Sequence, residues 1–173
     1  MSVFPANPIV LAAGEGREIV GPTGQPMIVK ADKATTAGAY ALIQYSHAVG
    51  APGPPPHIHR EHEEAFYVIE GELTLLIGDN TIAVETGGFA IVPRGVRHSP
   101  SNMGSVPVRF FFITSPPMED FFIEMSDLMA ATSGQPTPSQ LREIGERHDS
   151  FFVDLPHDGS VVMFNEAEVS DPK

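Results

Sequence analysis

Within Gly53-Pro-Pro-Pro-His57-Ile-His59-Arg-Glu-His62-Glu63-Glu64, three imidazoles and several carboxylates are packed into one short run. Neutral imidazole nitrogens together with a carboxylate oxygen suit a divalent transition metal such as Zn, Fe, Mn, Ni or Co. His57 and His59 stand at i and i+2, so in an extended chain their rings project side by side. Glu64 follows His59 by five residues, after a segment long enough for the chain to bend back. A further imidazole, His98, comes after the turn-like stretch Pro93-Arg94-Gly95. Four ligands drawn from neighbouring strands leave one or two positions open on an octahedral ion, as a catalytic site does and a closed structural site does not. The competing reading of the first run alone is a set of solvated histidines on a charged loop.

These residues need a scaffold that brings distant strands together. Short apolar runs punctuated by Gly and Pro predict an all-β sandwich or barrel. Ile9–Ala13 is expected as an edge strand or arm, and Glu18–Val20 and Met27–Lys30 as short strands. In Ala39–His47, parity puts Ala41, Ile43, Tyr45 and His47 on one face. Three consecutive prolines make Ala51–Pro56 a loop. Ala65–Ile77 followed by Gly78-Asp79-Asn80 reads as a hairpin, with strands continuing at Asn80–Glu85, Phe89–Val92 and Val106–Thr114. That makes eight to ten strands, enough to close a small barrel around a ligand-sized interior.

The pattern changes after Pro116-Pro117. Phe121, Met125, Leu128 and Met129 fall at helical spacing, predicting a helix over about 118–131. Thr137-Pro138-Ser139-Gln140 is a capping box that starts a second helix running to Arg147. These helices either pack on the barrel exterior or roof its mouth through Phe121, Phe122, Met125 and Met129. Phe151–Val153 and Val161–Phe164 are short apolar runs expected to pair with a sheet or a second subunit. The whole, 1–173, is expected as one domain, with a barrel core over about 27–114, a helical segment over 116–149 and a tail over 150–173.

The net charge of −12 argues against a nucleic-acid partner, since phosphate binding needs surplus Lys and Arg. The absence of cysteine removes disulfides and thiolate ligands. No apolar run approaches a membrane span, and the first residues lack the features of a secretory signal, so a cytoplasmic location is the expectation.

The His57/His59/Glu64 run and Gly87-x5-Pro93-x-Gly95-x2-His98-x3-Asn102 together resemble the two cupin motifs, G-x5-H-x-H-x3-4-E-x6-G and G-x5-P-x-G-x2-H-x3-N. Glu64 to Gly71 gives the x6 spacing, so Glu64 rather than Glu63 matches the family ligand. One position departs: the first motif glycine would fall at Ala51, which Gly50 and Gly53 flank. The resemblance covers residues 50–114. It implies a double-stranded β-helix (jelly-roll) barrel holding one divalent metal on His57, His59, Glu64 and His98, and a homodimer formed through the sheets and N-terminal strands. The segment Glu64–Gly71 and the Phe-rich helix are similar to single-domain, quercetin 2,3-dioxygenase-like cupins. That likeness implies an O2-dependent dioxygenase acting on a phenolic or enolic small molecule, with Glu64 as both ligand and general base. The alternatives are a non-oxidative isomerase, lyase or decarboxylase, and a non-catalytic small-molecule-binding cupin.

Tyr45, His47, Phe66, Phe110 and Phe112 are the candidate substrate-binding residues, set against ordinary core packing. Phe66 and Val68 share the face of Glu64, and Glu63 points the other way. His62 is expected to face solvent, the alternative being that it substitutes for one of the ligands. Arg94 and Arg97 are available either to an anionic substrate or to surface ion pairs, and Asn102 is expected to fix a loop.

Overall fold

The computed structural model describes residues 8–132, 134–153 and 155. Among them, chain order gives β1 (Arg17–Val20), β2 (Pro26–Ala31), β3 (Ala41–His47), β4 (His57–Ile58), β5 (Glu63–Glu70), β6 (Glu72–Ile77), β7 (Asn80–Glu85), β8 (Phe89–Val92), β9 (His98–Ser101) and β10 (Val108–Ser115). The helices α1 (Glu119–Thr132) and α2 (Pro138–Arg147) and the short β11 (Phe151–Phe152) follow. The strands form two antiparallel sheets facing each other across the core, in the orders β1-β2-β3-β10-β5-β8 and β11-β4-β9-β6-β7. This is the expected all-β cupin-type barrel with two C-terminal helices.

Alternation decides which side chains turn inward. Along β3 every second residue is buried, and along β10 Val108, Phe110, Phe112 and Thr114 are. On β5 the buried set is Glu64, Phe66 and Val68. Register then stacks these faces, with Phe110 opposite both Tyr45 and Val68, and Phe112 opposite Phe66. Phe66 and Phe110 are fully buried; truncating either to Ala should cost about 3–5 kcal/mol. Between β5 and β6 the chain passes from one sheet to the other at Gly71, whose φ of 81° suits only glycine and where a Cβ would lie 2.4 Å from the Pro107 carbonyl oxygen.

Both helices stand where the sequence places them. Thr114 Oγ1 accepts the Met118 amide ahead of α1. At α2, Thr137 accepts the Gln140 amide while Gln140 Oε1 accepts the Thr137 amide, with Pro138 opening the helix. Met118, Phe121, Phe122, Met125, Leu141 and Ile144 join the barrel side chains in one continuous core. No helix among the described residues is long and apolar enough to cross a membrane.

Of the two expectations for Ile9–Ala13 the arm holds and the edge strand does not: Ile9, Val10 and Leu11 lie exposed and the first pairing begins at Arg17. Nine strands of four or more residues are present among the described residues, within the expected eight to ten of ordinary length, together with β4 and β11, which are only two residues long. His62 does not face solvent: its side chain is 12% exposed and bonded to Asp149. The Phe151–Val153 run pairs with β4 as expected, whereas Val161–Phe164 lies outside the described residues.

His47, at the inner end of β3, is 1% exposed and neither ring nitrogen has a hydrogen-bond partner. Burial pushes its pKa down to about 4. As pH falls, the unfolded chain therefore takes up this proton first. The stability contributed by the neutral ring is complete above pH 6.5 and is lost as pH falls to about 4. The full effect is roughly 3 kcal/mol. Urea unfolding at pH 7 and pH 4 should show His47→Phe losing that much less than the parent over the interval; equal losses would exclude a buried neutral imidazole.

Candidate metal centre

The four predicted ligands arrive from both sheets. His57 on β4 sits opposite His98 on β9 in the five-stranded sheet. Glu64 comes from β5 of the other sheet, between Val92 and Thr114. His59 follows β4 at the start of the loop to β5. All four are at most 7% exposed, and one ligand atom from each lies within 4.8 Å of the other three.

The protonation of the imidazoles follows from what holds them. His57 Nδ1 faces the Pro55 carbonyl at 3.0 Å, His98 Nδ1 the Val96 carbonyl at 2.9 Å, and His59 Nδ1 the Asp149 carbonyl at 2.7 Å. A carbonyl oxygen only accepts, so each Nδ1 carries the hydrogen and each neutral ring turns its Nε2 lone pair inward. Glu64 lies between two of those rings, its Oε1 2.8 Å from His59 Nε2 and its Oε2 2.8 Å from His98 Nε2. The His59 contact lacks hydrogen-bond geometry, leaving that buried nitrogen without a partner. Lone pairs aimed at a carboxylate at this distance require a cation or added protons between them. The donor set, with its shared tautomer and its orphaned nitrogen, fits a divalent N3O-bound metal.

The charges respond accordingly. Burial, followed by the charges of His98 and His59, drives His57 well below the ordinary imidazole value. Burial would lower His59 too, but the Glu64 carboxylate outweighs it and raises that pKa. For Glu64 itself, burial favours the neutral acid; His98 and His59 overcome it and hold the carboxyl well below the usual range.

A cavity of about 210 Å³ opens from this cluster, with His57 and Glu64 in its wall. Its volume exceeds the ~150 Å³ that holds a benzene in an engineered protein cavity. Tyr45, Phe66, Phe110 and Phe112 line it from the barrel, and Met118, Phe121, Phe122 and Leu141 close it from the helical side. Met125 is buried behind them, Met129 is only half-buried, and neither reaches the cavity. His47 packs edge-on to Tyr45 at 4.4 Å and is not in the lining. Neither Arg94, paired with Glu63 on the surface at 3.5 Å, nor Arg97, which donates to the Gly78 carbonyl, reaches it. Asn102 fixes its loop, donating to the Ala48 and Val106 carbonyls, each at 2.9 Å.

Sequence reasoning missed Asp149, between α2 and β11. Asp149 lies 90 residues from His59 and, besides offering its carbonyl to that ring, clasps the ligand loop with its carboxylate. The carboxylate accepts the amides of Arg60, Glu61 and His62 at 3.0, 2.7 and 3.1 Å, and His62 Nδ1 at 2.7 Å. Phe151 and Phe152 then pair with Ile58 and His57, and Arg60 stacks over the Phe151 ring at 4.0 Å. Gly145 permits the tight return from α2, since a Cβ there would lie 2.5 Å from the Ser150 carbonyl oxygen. Nothing in the local spacing around Asp149 marks it. Ser150 and Phe152 of the same segment line the cavity.

The fold is a cupin-type barrel, and residues 45–114, which include all four candidate ligands, match the family model described as "Cupin domain". Over 96 residues, 54% of the chain, it is 32% identical to quercetin 2,3-dioxygenase of Bacillus subtilis (strain 168), covering 27% of that protein. Over 60 residues, 35% of the chain, it is 35% identical to the tetracenomycin polyketide synthase protein TcmJ of Streptomyces glaucescens, covering 40% of it. The matches thus span well under half the length of either curated relative. Among solved structures it resembles the polyketide cyclase RemF from Streptomyces resistomycificus, with a TM-score of 0.56 and 22% identity over 63% of this chain and 80% of that one.

Removing the clasp should loosen His59 without touching a ligand. Cobalt(II) titration followed by visible absorption should show Asp149→Ala binding 10–100-fold more weakly than the parent, with Asp149→Asn recovering part of the loss. Unchanged affinity would show that the loop holds its geometry without Asp149.

Proposed function

We propose that the protein is a metal-dependent dioxygenase acting on a phenolic or enolic small molecule. The observation that supports this best is a cluster of three inward Nε2 atoms and a carboxylate that opens, through His57 and Glu64, onto a cavity lined mainly by aromatic and aliphatic side chains. No Lys or Arg lines that cavity among the described residues, which disfavours phosphorylated or other anionic substrates. The sequence likeness to a quercetin 2,3-dioxygenase points the same way.

In this reading His57, His59, Glu64 and His98 hold one divalent transition metal. When bound, the metal supplies Lewis acidity toward an ionising hydroxyl and, if redox-active, electrons to dioxygen. The chain's own groups do the rest. Glu64 is ionised and placed to accept the hydroxyl proton of the substrate at a carboxylate oxygen. Phe66, Phe110 and Phe112 hold a flat ring, while Met118, Phe121 and Phe122 keep water from it.

A second reading, a non-oxidative enzyme moving a proton on an enolic substrate, uses the same Glu64 and needs no O2. The TcmJ match favours a polyketide-like substrate for it. We assign the protein to the cytoplasm and, as a homodimer, to association through the outer face of the six-stranded sheet, where Tyr67 and the paired Phe89 lie exposed beside Ile91.

Protein purified without added metal should contain about one equivalent of Fe, Ni, Mn or Co per chain, lost in His57→Ala and Glu64→Ala. Oxygen consumption across a flavonol and diketone panel should follow the metal content. Turnover that persists anaerobically would replace the dioxygenase with the non-oxidative enzyme, and no turnover under either condition would leave a binding protein. Light scattering should return twice the 18.6 kDa chain mass; a monomer mass would remove the dimer.

A further inference from the structure

The cavity has a second polar pole away from the metal ligands. Tyr45 Oη and Thr23 Oγ1 lie 3.0 Å apart in a largely apolar wall, 5% and 9% exposed by residue. This pair is built into the fold. Thr23 sits in the turn between β1 and β2, closed by Gly21 N–H to Gln25 O and Gly24 N–H to Gly21 O, each 2.8 Å. Gly21 leaves the space the phenol occupies, for a Cβ there would lie 2.4 Å from Tyr45 Oη.

Two hydroxyls carry two protons, and their mutual bond uses one. Either hydroxyl can donate in that bond, and in both cases one hydroxyl hydrogen is left over. That hydrogen has no protein acceptor among the described residues. Burial pushes Tyr45 up to about 12, so the phenol remains a neutral donor throughout the physiological range.

The two poles are well separated. Glu64 is level with Thr114 on β10, and Tyr45 is level with Phe110, four residues along the same strand. Four residues of strand span ~13 Å, and the long phenol reaches back over part of that distance. Aromatic side chains fill the wall between, and no cation lines it.

We propose that Tyr45 and Thr23 form a second recognition point for a ligand oxygen, selecting neutral, flat molecules of two or three rings with one oxygen function near Glu64 and another at the opposite end. This rests on the cavity taking a phenolic or enolic substrate. Buried hydroxyls left without a partner penalise analogues that lack the distal oxygen, so the pair sets specificity more than rate.

The test uses zinc-loaded protein, which cannot turn over oxidatively, and three fluorescent probes: 3-hydroxyflavone and its 4′-hydroxy and 7-hydroxy derivatives. Wild type should bind at least one hydroxylated probe about fivefold or more tightly than the parent probe. The near-isosteric double variant Thr23→Val/Tyr45→Phe should lose the preference, the ratio of hydroxylated-probe to parent-probe affinity falling to about one. If that variant fails to unfold cooperatively, Thr23→Val alone should reduce the preference. A preference that survives these changes, or none in wild type, overturns the subsite alone. No binding of any probe to wild type overturns the proposed substrate class and the subsite with it.

Discussion

A carbonyl oxygen can only accept a hydrogen bond, and those of Pro55, Val96 and Asp149 each face the Nδ1 of a buried histidine. This one constraint sets three tautomers, aims three Nε2 lone pairs inward and makes the site nucleophilic toward a cation. Beside these rings Glu64 is held ionised despite its burial by the charges of His98 and His59. The barrel exists around this arrangement in a literal sense. The two sheets come close at the point where His57 and His98 from one meet Glu64 from the other, and the apolar faces above and below exclude the water that would otherwise screen them.

Much of this was legible because period-two alternation is a strict rule wherever one face of a strand is buried. His57 and His59, the inward Glu64 and outward Glu63, and the shared face of Phe66 and Val68 all follow from parity on short strands. The capping box at Thr137 fixed the start of α2 for an equally local reason, since both of its bonds close within four residues. Local patterns carry local geometry, and the ligand motif is almost wholly local up to His98.

The remainder depends on encounters between segments far apart in the chain. Asp149 meets residues 59–62 only because α2 packs on the barrel and Gly145 lets the chain turn sharply back. Thr23 meets Tyr45 because a hairpin turn folds over the inner face of β3. His62 was misplaced for the same reason: its sequence neighbours are charged, and its true partner lies 87 residues on. Ile9–Ala13 stayed open between edge strand and arm because its apolar residues suit a strand, and propensity without a pairing partner does not make one.

The pairing of β11 with β4 has a consequence for the order in which the molecule is assembled. The strand that carries His57 is two residues long and is flanked by His98 on one side and Phe152 on the other. A pair of residues cannot hold a sheet position unaided, so this strand acquires its neighbours only when a segment more than ninety positions downstream has been synthesised and docked. Such closures of high sequence separation come late in folding, after the local hairpin of β6 and β7. On a ribosome the histidines therefore emerge well before the segment that docks beside them.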